Sequence, residues 1–135
     1  MITDLIQKDF TTLEKKKQAN LFSPPPDITG SQWANAKRIL SREDSAEPGQ
    51  YSTDRAPFQK DIIDEMTNPY AEQVVFVAAR QIGKTLIATN VLGYYIDYDP
   101  SPIMYMIETL DIAENFSKVR LDAMIRDNDW MPIVR

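Results

Sequence analysis

Gly83-Lys84-Thr85 is the place in this chain where residue type and spacing combine into chemistry. A lysine ammonium there can reach the β/γ-phosphates of a nucleotide, a threonine hydroxyl can ligate the accompanying Mg²⁺, and glycine lets the backbone approach closely. Before it, Val74-Val75-Phe76-Val77-Ala78 is an apolar, β-branched run of buried-strand type, and after it comes a helical pattern. A strand that empties through a loop into a helix points loop and first-turn N–H groups at one spot, where the helix dipole favours negative charge. The order is that of the phosphate loop G-x-x-x-x-G-K-[ST], with Ala78 in place of the first glycine. An ordinary strand-to-helix turn that happens to contain Gly-Lys-Thr is the plainer alternative. The presence of every part in the required order favours the phosphate site.

Composition narrows the chemistry. With no cysteine and no histidine among 135 residues, disulfides, Cys-based zinc sites and imidazole bases are excluded, so any metal takes oxygen ligands, which fits Mg²⁺. A formal charge of −5 argues against attachment to nucleic acid by bulk charge, while leaving room for DNA contact through a local surface or neighbouring subunits. Hydrophobic residues at 43% and charged residues at 26% fit a globular chain, which at this length buries ~68% of its unfolded surface when compact. No run approaches ~20 apolar residues and the first residues carry no apolar signal core, so the expectation is a soluble intracellular protein without a membrane partner.

The elements that must position the loop can be read in chain order. Residues 3–20 read as an amphipathic helix with Ile2, Ile6, Phe10 and Leu13 along one face and Lys15-Lys16-Lys17 near its end. Ser23-Pro24-Pro25-Pro26-Asp27 cannot continue that helix and makes a stiff extended spacer. Thr29 or Ser31 caps a short helix to about Leu40 that presents Trp33, Ala36, Ile39 and Leu40; residues 41–53 then read as a surface loop. Pro57 opens a helix whose Phe58, Ile62, Ile63 and Met66 form an apolar face. After Thr85 a helix runs to about Ile96, with Leu86, Ile87, Val91, Leu92 and Tyr95 available for burial. Ile103-Met104-Tyr105-Met106-Ile107 reads as a second buried strand, and Thr109 caps a last helix with Ile112, Phe116, Val119 and Ala123 inward. Strand–helix–strand–helix preceded by helices is an α/β unit. The divisions are a docking-type helix over 1–22, a spacer, short helix and loop over 23–56, and the phosphate-loop region over 57–135.

Five blocks carry a resemblance: Pro24-Pro25-Pro26-Asp27-Ile28-Thr29, Ser45-Ala46-Glu47-Pro48-Gly49, Thr53-Asp54-Arg55-Ala56-Pro57-Phe58-Gln59, Arg80-Gln81-Ile82-Gly83-Lys84-Thr85 and Phe116-Ser117-Lys118. In this order they resemble the large subunit of the lambda-type phage terminase, from about Phe22 to Arg126. That family implies an ATP-driven DNA-packaging motor, with an N-terminal ATPase domain of the helicase-like P-loop type and a C-terminal metal-dependent nuclease. A first loop position other than glycine is common among terminases, so Ala78 fits. By resemblance, Ala79, Arg80, Gln81, Ile82, Gly83, Lys84 and Thr85 form the Mg-ATP site, with Thr85 on the metal and Arg80 and Lys84 serving catalysis. Arg80 matches the loop arginine placed near the γ-phosphate, where a guanidinium stabilises developing charge; a surface arginine paired with a carboxylate is the equal alternative. Gln59 resembles the helicase glutamine whose amide both donates to and accepts from an adenine edge, an exposed helix glutamine being the other reading. Phe58 beside it reads as core. The implied partners are the small terminase subunit, engaged through the N-terminal helix, the portal and procapsid, and double-stranded DNA, in an oligomeric motor in the host cytoplasm.

Hydrolysis of this type also needs a carboxylate pair at the end of another strand. Asp97 lies ~18 Å along the helix from Thr85 and cannot serve, and Glu108 is single. The expectation is therefore an incomplete P-loop NTPase domain, a truncated piece that holds ATP with little turnover and poor autonomous stability. Two other readings stand beside it. One is a non-catalytic remnant that binds terminase subunits. The other is a different small P-loop NTPase, against which the lack of an arginine-rich lid segment counts.

Overall fold

A computed structural model describes residues 27–42 and 45–128; the expected helix over 3–20, the proline spacer and the docking function attached to them lie outside the described residues. Thr29 starts the first described helix, α1 (Gly30–Lys37), through a capping box: its hydroxyl accepts from Gln32 N at 3.4 Å, and Gln32 Oε1 accepts from Thr29 N at 3.0 Å. The helix stops at Lys37 because Arg38 turns extended and leads into β1 (Ile39–Leu40). β1 pairs antiparallel with β2 (Gly49–Gln50), Ile39 opposite Gln50 and Leu40 opposite Gly49. A 3-10 turn (Thr53–Arg55) precedes α2 (Pro57–Met66), which begins on proline as expected. The long helix α3 (Lys84–Asp97) follows the loop that ends in Gly83. Thr109 caps α4 (Leu110–Asn115), which passes through a π-helical turn (Phe116–Leu121) into α5 (Asp122–Asp127).

The core forms where α1, α2 and α3 meet, around Trp33, Ala34, Leu40, Tyr51, Ile63, Ile87 and Tyr94. Trp33 is fully buried, its ring edge-on to Tyr94 with centroids 6.4 Å apart. Gly30 sits where α1 crosses the end of α2: a Cβ there would stand 2.5 Å from Thr67 Oγ1, and Gly30 N donates to that hydroxyl. Beside it, Ser31 N donates to Asp64 Oδ1 at 2.8 Å, placing a carboxylate at the positive end of α1. Burial opposes ionisation of Asp64, but hydrogen bonds from Ser31, Lys60 and Thr29 outweigh it and hold the carboxyl below its usual range. Tyr94 is pushed up to about 12, first by burial and then by Tyr98, Asp99, Tyr95 and Asp27.

The α/β expectation needs correction at its strands. Residues 73–78 and 103–107 form no strand, and among the described residues the sheet consists of β1 and β2 alone. Backbone N–H and C=O groups of a strand are satisfied by a neighbouring strand, and neither run has one among the described residues. Their exposure still alternates with the period of a pleat: Ile103 and Tyr105 are 43% and 44% exposed, Met104 and Met106 84% and 83%. The less exposed side of 103–107 lies over α3 and the π turn, with Tyr105 stacked on Phe116 at 4.6 Å. Phe58, read as core, is 49% exposed.

The last helix departs from its expected register. Thr109 Oγ1 accepts from Ile112 N as a cap, and Lys118 pairs with Glu114 one turn away. The π turn then inserts a residue into the helical repeat, which rotates everything beyond it. Of the face expected inward, Ile112 ahead of that turn and Val119 within it are exposed, Phe116 is half-buried and Ala123 is buried, with Arg120 and Leu121 half-buried and Met124 buried beside them. Asn128 ties the end of α5 to β1: its Oδ1 accepts from Ile39 N at 2.8 Å, and its amide donates to Met124 O and Ile39 O.

Asp97 fastens α1 to the far end of α3. Its Oδ2 accepts from Trp33 Nε1 at 2.8 Å and from Lys37 Nζ at 2.7 Å. The half-exposed Lys37 pair is worth at most about 1 kcal/mol, whereas leaving the buried indole N–H without its acceptor costs about 1–3 kcal/mol. Asp97→Ala should therefore lower the urea midpoint clearly more than Lys37→Ala with an unchanged m-value. Equal midpoints for the two variants would show that the indole bond carries no weight.

Candidate functional site

The loop from Ala78 to Lys84 is built by backbone geometry that few residues accept. Gly83, the residue before α3, has φ +84°, and Gln81 has φ +61°, both left-handed. A non-glycine residue held there carries strain of about 1–3 kcal/mol, and at this site the residue is Gln81. No side chain caps the first turn of α3, so its leading N–H groups are left for another acceptor. Lys84 Nζ reaches back 3.5 Å to Ala78 O and closes the loop on itself.

A buried polar chain supports the loop from below. Tyr51 OH donates to Gln59 Oε1 at 3.0 Å, and Gln59 Nε2 donates to Ile82 O at 3.4 Å. A Cβ on residue 83 would stand 2.7 Å from Gln59 Nε2, so glycine is needed there for space as well as for its φ. Behind Tyr51, Arg38 Nε donates to Asn90 Oδ1 at 3.3 Å, and Arg38 and Asn90 are both fully buried. Asn90 Nδ2 completes no hydrogen bond, yet the amide lies close enough to moderate the rise that burial imposes on the Tyr51 phenol.

Above the loop lies a cleft of about 390 Å³ lined by Gln81, Gly83, Lys84, Thr85, Thr89 and Arg120 among others. A second hollow of about 310 Å³, reaching Tyr51, Arg55 and Gln59, adjoins it, and both share Ser45, Ala46 and Leu86. Together they have the size of a small-molecule site. The structure thus gathers Gln81, Gly83, Lys84 and Thr85 in one cleft with Gln59 in the adjoining hollow. Ala79, Arg80 and Ile82 do not line either space, and Arg80 is exposed without a hydrogen bond or ion pair among the described residues. Glu108 is exposed too. Sequence reasoning missed Arg120, Tyr51, Thr89 and Asn90. Ser45 and Ala46 carried a signal, since they belong to one of the resembling blocks; Arg120 carried none.

The comparisons with known proteins define the class of this chain. Residues 45–133 match the family model of the phage terminase large subunit gpA, ATPase domain. The chain belongs to that terminase large-subunit family, as the five sequence blocks led one to expect. It is similar to the terminase large subunit of Escherichia phage lambda, 31% identical over 108 residues that are 80% of this chain and 16% of that protein. The terminase large subunit of Enterobacteria phage P21 is similar at 32% over 108 residues, again 80% of this chain and 16% of the relative. The chain therefore spans 16% of the length of the relatives it matches. No solved structure matches it. Among the described residues no helix is long and apolar enough to cross a membrane.

Gly83 tests the loop geometry. Gly83→Ala adds left-handed strain and displaces Gln59 from Ile82 O, so the melting temperature should fall by several degrees and the Gln59 side-chain amide signal should move. An unshifted melting temperature with an unmoved Gln59 signal would contradict the described loop.

Proposed function

We propose that the 78–85 loop binds Mg-ATP as the nucleotide-binding part of a terminase large subunit, in which ATP hydrolysis drives DNA translocation into the procapsid. The observation that carries this reading is the uncapped start of α3, with a left-handed glycine before it, opening on a cleft lined by Lys84 and Thr85. Family membership supports an ATPase domain and hence nucleotide use, typically with Mg²⁺. The finer description, a helicase-like P-loop fold, has the support of the family and of the loop's form.

The residues present fit the metal. Mg²⁺ bound with a nucleotide keeps several waters and takes phosphate oxygens, so one protein hydroxyl is a sufficient share, and Thr85 supplies it at the cleft. A bound Mg²⁺ neutralises phosphate charge. Lys84 would leave Ala78 O for the β/γ-phosphates, the first-turn N–H groups would donate to the same anion, and Gln59 would keep the Ile82–Gly83 backbone in place. Arg80, exposed on the loop, would approach the γ-phosphate from the solvent side. Gln59 is buried, against the exposed-helix reading; bracing the loop uses one amide hydrogen and one oxygen lone pair, so its other hydrogen and lone pair stay available for a base edge.

Partners of the full motor enter as part of the same proposal: the small terminase subunit, the portal and procapsid, double-stranded DNA and further copies of the subunit, in the host cytoplasm. One observation favours binding without turnover by this chain. Glu108, the single carboxylate considered for hydrolysis, is exposed and lines neither hollow.

Titration of a fluorescent ATP analogue with Mg²⁺ tests the site. The unaltered chain should bind and Lys84→Ala should bind at least about tenfold more weakly, as loss of a charged hydrogen-bond donor implies, with negligible turnover in both. Equal affinity in the two chains, or none in either, would remove the proposal. Robust turnover would remove the binding-only reading.

A further inference from the structure

We propose that Tyr51 is a positioning residue that decides which base the site accepts: its hydroxyl locks the Gln59 amide in one orientation, and the hollow beside the phosphate loop then takes adenine and rejects guanine. The role rests on the Mg-ATP reading above and belongs to a residue outside the loop motif. Tyr51 and Gln59 both line the hollow of about 310 Å³, where Leu40 and Leu86 supply apolar surface beside polar groups that include the exposed Glu47–Arg55 pair. Apolar walls with a few fixed polar groups are what orient a small planar ligand. The hollow adjoins the cleft of Lys84 and Thr85, so a nucleotide whose phosphates occupy the cleft has this space next to it for the base.

A side-chain amide can tell bases apart only when its oxygen and nitrogen cannot trade places, because turning it over exchanges donor and acceptor. Both ends of a buried chain fix its sense here. Ile82 O is a carbonyl and only accepts, so Gln59 Nε2 must face it. At the other end the guanidinium of the fully buried Arg38 only donates, and its Nε occupies Asn90 Oδ1 at 3.3 Å. The N–H end of Asn90 is left toward the phenol; it completes no hydrogen bond there, but its nearness eases the rise that burial imposes on Tyr51. The phenol hydrogen is thereby directed to Gln59 Oε1, at 3.0 Å. The bond from Gln59 to Ile82 O is longer, 3.4 Å, so Tyr51 gives the firmer hold. One Nε2 hydrogen and one Oε1 lone pair remain, in a fixed order. Adenine offers N6–H as donor beside N7 as acceptor, which answers that order. Guanine carries O6 in place of N6–H, and against a locked amide one carbonyl oxygen would face another.

The experiment measures Mg-ATP and Mg-GTP affinity on the full chain, on Tyr51→Phe, Gln59→Met and Lys84→Ala, and on the Tyr51→Phe/Gln59→Met double variant, each below its thermal unfolding transition. The unaltered chain should prefer Mg-ATP about tenfold or more. Tyr51→Phe removes one oxygen and should bring the two affinities to within about threefold of each other. Lys84→Ala should weaken both nucleotides by the same factor, because the phosphates are common to them. In the Gln59→Met background, Tyr51→Phe should change the ratio no further, since the tyrosine acts through the amide. A tyrosine that only supports the fold would weaken both nucleotides alike. A preference kept at about tenfold in Tyr51→Phe therefore overturns the inference and leaves the Mg-ATP site standing. Equal binding of the two nucleotides by the unaltered chain does the same, as does a further change of the ratio in the double variant. Should Tyr51→Phe not fold, Gln59→Met decides together with hydrogen exchange of the Gln59 side-chain amide in the unaltered chain. Lost preference with slow exchange supports the lock, and kept preference or fast exchange overturns it. Failure of the unaltered chain to bind either nucleotide overturns the Mg-ATP reading as well.

Discussion

One buried amide holds the candidate site in shape. Gln59 takes a hydrogen from Tyr51 and gives one to the carbonyl of Ile82, so the phosphate loop rests on α2 at the residue before its left-handed glycine. Burial makes that arrangement stringent: Gln59 is 5% exposed, and a polar group so enclosed costs about 1–3 kcal/mol if its partner is lost. The absence of a Cβ at Gly83 is part of the same fit, because the amide nitrogen occupies the space a Cβ would need. Arg38, Asn90 and Tyr51 continue the polar interior toward β1. The three-helix core therefore does more than bury apolar surface. Its packing sets the height at which Lys84 and Thr85 meet the cleft.

A second constraint acts on the other side of the molecule. Residues 74–77 and 103–106 are apolar enough to be buried on both faces, yet Val75, Val77, Met104 and Met106 are largely exposed. Runs of this kind belong in sheets covered on both sides, and the chain spans 16% of the length of its relatives. The helices still form around them because α1, α2 and α3 complete one another through Trp33, Ile63, Ile87 and Tyr94 without help from either run. The loop thus owes its geometry to helices and to Gln59, and the run before it contributes no sheet.

These differences show what a sequence can and cannot convey. Thr29, Pro57 and Thr109 each start a helix by chemistry confined to a few neighbouring residues, and all three were legible. Gly83-Lys84-Thr85 was legible for the same reason. Strand pairing is not local: the pattern of residues 73–78 and 103–107 states what would be buried, not which partner is present. The two-residue strands that did form were hidden in a stretch read as a loop and a helix end, being too short to show a period. The last helix was legible only in part because a periodic reading assumes an unbroken helix, and a π turn interrupts this one at Phe116–Leu121. Gln59 was singled out by type, but its bonds to Tyr51 and Ile82 depend on three elements meeting.

Hydrogen exchange of the loop amides with and without saturating Mg-ATP bears most directly on the central claim, that a Gln59-braced loop at the start of α3 receives the phosphates. Slowed exchange over residues 79–87 in the unaltered chain, with no slowing in Lys84→Ala, is the predicted result. Exchange over those residues that stays the same with Mg-ATP present would contradict it.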